Sequence, residues 1–179
     1  LSAPAVAGTN TITLPASTGT VLTTGSPQSG GVIQSANGVL TSNFSTSSLS
    51  YVDTGLTASI TPKFSTSKIL VLVSINGLSQ SAGNVGCYNL LRNGSTVVNN
   101  TGGGEAQTFG SWATAGGISS NRMMDSATIT YLDSPATTSA LTYKVQMRQD
   151  SGGTGTMNAW QLNSDAGCVS TITLLEIAA

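Results

Sequence analysis

The sequence predicts an all-β protein: a jelly-roll-like antiparallel β-sandwich preceded by an extended N-terminal β segment. Three observations lead there. Apolar residues never recur at three- and four-residue steps over three turns without Gly, Ser or Thr intervening, so no amphipathic helical face is available. Roughly three residues in ten are Ser or Thr and 21 are Gly, types that favour strands and turns and weaken helices. Short apolar runs alternate with turn residues at the spacing expected of about eight to ten strands in a sandwich or jelly roll. The hydrophobic share, 39% of 179 residues, suffices for a core without disulfide or metal staples.

Residues 1–30 read as an arm and linker, and residues 31–179 as the sandwich. In the arm, Ile12 and Leu14 alternate with threonines, and Thr20–Thr23 forms a second short strand after a Ser-Thr-Gly turn. Two strands this short need a partner surface, either the main domain or copies of themselves. Gly25–Gly31 reads as the linker. In the sandwich, Asn37-Gly38 predicts a hairpin between Val32–Ser35 and Val39–Phe44, since a tight primed turn needs positive φ. Thr54-Gly55 predicts a turn between Ser50–Asp53 and Leu56–Thr61. Ile69–Val73, apolar at every position, reads as a strand buried on both faces. Asn93-Gly94 predicts a hairpin between Val85–Arg92 and Thr96–Asn99, whereas Asn76-Gly77 sits inside a run and suits a bulge or strand end. Thr101–Ser120 reads as a Gly-rich loop containing a strand. Ala127–Leu132, Leu141–Arg148, Met157–Leu162 and Cys168–Ile177 complete the series.

Charge narrows the function classes. Only 7% of residues are charged, and the six Lys and Arg residues are scattered singly. Nucleic-acid binding needs clustered cations to release counterions, and an anionic membrane surface needs the same, so neither partner is expected. No apolar run approaches the ~20 residues of a membrane span, and Leu1–Ala7 lacks the basic start of a signal peptide. Cys87 and Cys168 match no metal-ligand spacing; they are expected to be buried free thiols, with a disulfide left open.

Catalysis is not expected. The chain has no His, which removes the commonest general base. A glycosidase needs two carboxylates about 5–10 Å apart. Glu105 and Asp125, which flank the Phe109/Trp112 loop, are the candidate acid pair, while Asp53 and Asp133 stand where a carboxylate caps a turn. Asn158, Asn163 and Asp165 approach a calcium loop without its spacing, and a solvated turn is the simpler reading. Gly102–Gly104 lacks the Lys-Ser/Thr of a phosphate cradle. No cofactor is expected. Of the two tryptophans, Trp160 is expected in the core. Phe109 and Trp112 are the candidate ligand-binding residues, because an aromatic side chain on a loop can stack on a sugar or anchor a partner.

Several phrases carry a resemblance. Asn10–Thr24 resembles a segment found before the terminal domain of bacteriophage tail fibres. Tyr51–Leu56, Ile60–Pro62, Ser67–Val71, Leu90–Arg92, Tyr131–Pro135, Thr142-Tyr143 and Ser170–Ile177 resemble a β-sandwich terminal domain of tail fibres in cyanophages and other aquatic phages. The resemblance implies a homotrimer on the virion surface, in contact with other virion proteins and with a host glycan or protein, and no catalysis. Assembly in a reducing cytosol would favour thiols over a disulfide. A capsid decoration protein clamping neighbouring capsomers is the alternative. A neutral Ser/Thr/Gly surface is compatible with self-association, because few charges need desolvation.

Overall fold

The computed structural model describes residues 25, 27–80, 85–98, 109–111, 125–150, 152–159 and 167–179, with the backbone alone at 79–80, 109–111 and 125. The described residues contain no helix and eleven strands: β1 (Val32–Leu40), β2 (Phe44–Thr46), β3 (Val52–Ile60), β4 (Lys68–Gln80), β5 (Gly86–Arg92), β6 (Ser95–Thr96), β7 (Phe109–Ser111), β8 (Asp125–Asp133), β9 (Leu141–Gln149), β10 (Gly155–Met157) and β11 (Ser170–Ile177). All pairings are antiparallel. One sheet runs β1-β11-β4-β8, prolonged past the end of β11 by β10 and β2. The other runs β3-β9-β5, with β6 and β7 sharing the free edge of β5. Successive long strands alternate between the sheets, save for the hairpin from β5 to β7. That order is a jelly roll's, as expected. The arm strands expected before residue 25 lie outside the described residues.

Period-two patterning builds the core. Leu56, Ala58 and Ile60 of β3, Ile69, Val71, Val73 and Ile75 of β4, and Leu141, Tyr143, Val145 and Met147 of β9 all point inward and are buried. Ile172 and Leu174 of β11 and Tyr88 and Leu90 of β5 complete the layer between the sheets. Cys87 is buried and Cys168 half-buried, and both are free thiols.

Two turn expectations are corrected. Asn37-Gly38 makes no hairpin; it lies inside β1, which pairs with β11 from Val32 to Leu40. The glycine is there for space, because a Cβ on Gly38 would stand 1.8 Å from the carbonyl oxygen of Thr57 in β3. Thr54-Gly55 makes no turn either. It is a bulge within a continuous β3, between the Asp53–Gln146 and Thr57–Lys144 pairs. There the Thr54 hydroxyl donates to the Val145 carbonyl (2.8 Å) and accepts from Leu56 N–H (3.2 Å), standing in for the lost ladder bonds, while Gly55 takes φ 88°. The other two Asn-Gly sites follow expectation. Asn93 (φ 49°) and Gly94 (φ 86°) form a primed turn between β5 and β6, and Gly77 (φ 60°) marks a bulge in β4. Of the strand expected over Met157–Leu162 only Met157 is in a strand, as the last residue of β10; Asn158 turns left-handed at φ 58°, and residues 160–162 lie outside the described residues.

Both lateral margins of the sandwich are closed. β1 lies against β3 on one side, and β7 lies against β8 on the other. At the N-terminal end, a turn carries Gly31 N–H to the Gln28 carbonyl (2.9 Å), with Gly30 at φ 79°; Gly30 and Gly31 then exchange bonds with Ala178. The tight β1–β3 approach yields the first prediction. Gly38→Ala should cost about 3 kcal/mol through overpacking against backbone that cannot yield. Urea denaturation should show an earlier midpoint at an unchanged slope.

Candidate functional site

Of the candidate ligand-binding segment, the structure describes the β7 backbone. Gly86 pairs with Ser111 and Tyr88 with Phe109, which places the Phe109 backbone on the outer edge of β5. Its side chain, and Trp112 altogether, lie outside the described residues, as do Glu105, Trp160, Asn163, Asp165 and the side chain of Asp125. The structure does describe the platform next to that segment. Arg148, opposite Cys87 on β5, lays its guanidinium over the Tyr51 ring at 5.4 Å and donates to the Gln149 carbonyl at 3.0 Å. Asp150 accepts the Val85 N–H at 2.7 Å and so ties the ends of β9 and β5 together. Gln149 is fully buried, with neither amide atom in a hydrogen bond.

At the opposite end, three side chains from both sheets meet. Asp133, buried at the end of β8, accepts from Arg92 Nη1 of β5 at 2.6 and 2.7 Å and from the Tyr143 hydroxyl of β9 at 2.6 Å. Burial first, and then the bond to Asp133, push the Tyr143 phenol far above its usual range. The hydrogen bond to Asp133 chiefly raises the Arg92 guanidinium. The Tyr143 phenol is thereby held neutral as a hydrogen-bond donor to Asp133. The cluster is a clasp between the sheets. Asp133 is thus an inter-sheet acceptor and not a turn cap.

Asp53 is likewise no turn cap. It accepts from Lys144 Nζ and Gln146 Nε2, each at 2.6 Å, on the outer face of the β3-β9-β5 sheet. These bonds, Lys144 first, hold its carboxyl below the usual value. Glu176 of β11 is fully buried. It accepts from Gln34 Nε2 (2.6 Å), Lys63 N–H (2.8 Å) and Phe64 N–H (3.3 Å). Burial works against its charge, yet the donors gathered around it bring its carboxyl below the usual value. Asn158, read from sequence as a solvated turn residue, is instead buried. Its amide donates to the carbonyls of Leu40 (2.7 Å) and Ser42 (3.1 Å), and its oxygen accepts the Ser170 hydroxyl (2.6 Å). No group of three or more metal-ligating side chains occurs among the described residues.

The surface that sequence reading missed is the outer face of the β1-β11-β4-β8 sheet. Ile69–Val73, expected to be buried on both faces, packs only one face into the core. Leu70 and Leu72 point outward, half-buried and outside the core, because the described residues supply a second layer on one side alone. The signal was present in the unbroken apolar run, but nothing in a run says which face lacks a cover.

Compared with models of known protein families and with curated proteins, the chain matches none.

Two predictions follow from these geometries. Glu176 carries a depressed folded-state pKa, so its contribution is complete above the unfolded value of 4.5 and is lost as pH falls through the lower folded value. The parent should therefore lose thermal stability between about pH 5 and pH 3. Glu176→Gln should begin less stable by about 2 kcal/mol, since an amide presents a donor to donors, and should decline less over that interval. Gln149→Met, of similar volume, should raise stability by about 1 kcal/mol by removing two unpaired polar atoms from the interior, seen as a Tm increase of about 3 °C.

Proposed function

We propose that this chain is a non-enzymatic structural domain of a bacteriophage particle, the terminal domain of a tail fibre assembled as a homotrimer, with host-surface contact through the loop that carries Phe109 and Trp112. The observation that carries the reading is where the phage-like phrases fall. Tyr51–Leu56 holds the Thr54 bulge; Leu90–Arg92, Tyr131–Pro135 and Thr142-Tyr143 supply the three members of the inter-sheet clasp; Ser170–Ile177 is β11, with Glu176. The residues that resemble the tail-fibre domain are those that hold the sandwich together, as a shared scaffold requires and a shared receptor does not.

The acids support the non-enzymatic part. The four whose side chains are described, Asp53, Asp133, Asp150 and Glu176, each accept hydrogen bonds from the scaffold and converge on no common cleft. Loops at one end of a rigid sandwich are the ordinary place for recognition.

Cryo-electron microscopy of intact particles tests the location. Density at the distal end of a fibre supports the reading, and density between capsomers replaces it with the decoration alternative. On assembled particles, Trp112→Ala should lower host adsorption on the order of 30-fold, the loss of one aromatic anchor, with particle yield unchanged. Adsorption at the parental rate would remove the loop from the host contact.

A further inference from the structure

We infer that the outer face of the β1-β11-β4-β8 sheet is the surface through which copies of this chain associate. The register sets the face out row by row. Leu175 of β11 stands opposite Leu70 of β4, which stands opposite Leu132 of β8. In the next row Leu72 lies between Thr173 and Thr130; at the rim Ile177 lies between Val32 and Lys68. Leu132 and Val32 are 48% and 59% exposed, and none of these six apolar side chains belongs to the core. The outer face of the other sheet is of opposite character. It presents Asp53, Thr57, Ser59, Thr142, Lys144 and Gln146, joined by hydrogen bonds and an ion pair. One sheet is therefore finished for water and the other is not.

Charge selects the occupant. The apolar face has one ionisable side chain, Lys68 at its rim, and is otherwise bordered by Thr, Ser and Asn37. It offers no complement to a charged partner, and two copies laid together bring no like charges into contact at its centre. Its size agrees. Four strands about 4.8 Å apart and seven residues at about 3.4 Å each cover roughly 450 Å² in projection. Side-chain relief brings the accessible area towards the ~600 Å² per partner at which specific interfaces begin. The lateral edges are already closed by β3 and β7, so association through this sheet uses its face. This inference rests on the homo-oligomer part of the proposed reading and not on its virion part.

The test is sedimentation velocity on the full chain at micromolar concentration, with a paired substitution. Leu70→Lys with Leu175→Glu puts opposite charges on directly facing residues, tolerated on a sheet face in water but costly in a dry interface. The parent should sediment as an oligomer. The variant should be a monomer with the same far-ultraviolet circular dichroism, its association weakened by at least ~100-fold. Leu132→Glu, at the margin of the same face, should weaken association in the same direction and serves where the pair impairs folding. Ser59→Lys with Thr142→Glu, on the polar face, should leave the oligomer intact. An oligomer that survives the first pair and Leu132→Glu but dissociates with the polar-face pair overturns the choice of face alone. A parental monomer overturns both the interface and the homo-oligomer, and would leave residues 1–24 of the same chain as the cover for these leucines.

Discussion

The ladder that β4 makes with its neighbours is what the rest of the molecule is registered on. β4 pairs with β11 from Lys68 to Ser74 and with β8 from Ile69 to Leu78, and its last two residues take β10. A slip of one residue would send Leu70 and Leu72 inward in place of Ile69, Val71 and Val73. Because both sets are apolar, hydrophobic pattern alone fixes this register weakly. Polar features fix it. The bulge at Gly77 docks on Asn158 and Ala159, where Asn158 N–H donates to Asn76 and Ala159 N–H to Gly77. Glu176, across from Ile69, meets the backbone N–H groups of Lys63 and Phe64 only in the native alignment. The same chemistry that makes the strand sticky on both sides thus demands polar pins to hold it in one place.

Those pins account for how so few charges are used. Asp133 joins β8 of one sheet to β5 and β9 of the other, Glu176 joins β11 to β1 and to the chain entering β4, and Asp53 fastens β3 to β9. A buried, hydrogen-bonded ion contributes little net stability over a well-packed apolar substitute, yet an alternative arrangement that strands it is costly. In a chain so rich in Ser, Thr and Gly, where many β registers are nearly equal in energy, that selectivity matters more than the stability.

Much of the fold was legible. Period-two alternation located the second half of β3, and β8 and β9, the terminal apolar run gave β11, and the absence of a helical period excluded helices among the described residues. The Asn93-Gly94 hairpin was readable because both residues need positive φ there. Asn37-Gly38 misled because the same dipeptide can answer a different need: Gly38 is small so that two backbones can touch, and the partner at Thr57 is distant in sequence. Thr54-Gly55 misled for a related reason, since a side-chain hydroxyl can replace ladder bonds and keep a strand continuous through a turn-like pair. Of the candidate site, only the β7 edge that supports Phe109 is in view. The clasp was invisible in the sequence because Arg92, Asp133 and Tyr143 come from three strands that only the folded topology brings together.

β6 and β7 occupy one edge of β5 as a single strand would, although residues 97–108 separate them in the sequence. Val97 still bonds to Leu90, and Phe109 faces Tyr88. Departure and return are thus two positions apart on β5, about 7 Å. Closing so short a span depends only weakly on how many residues are strung across it, so lengthening or exchanging the stretch leaves the ladder bonds on either side in place. The jelly roll therefore carries a cassette position midway along one edge of β5, where new sequence can be tried without renegotiating the core.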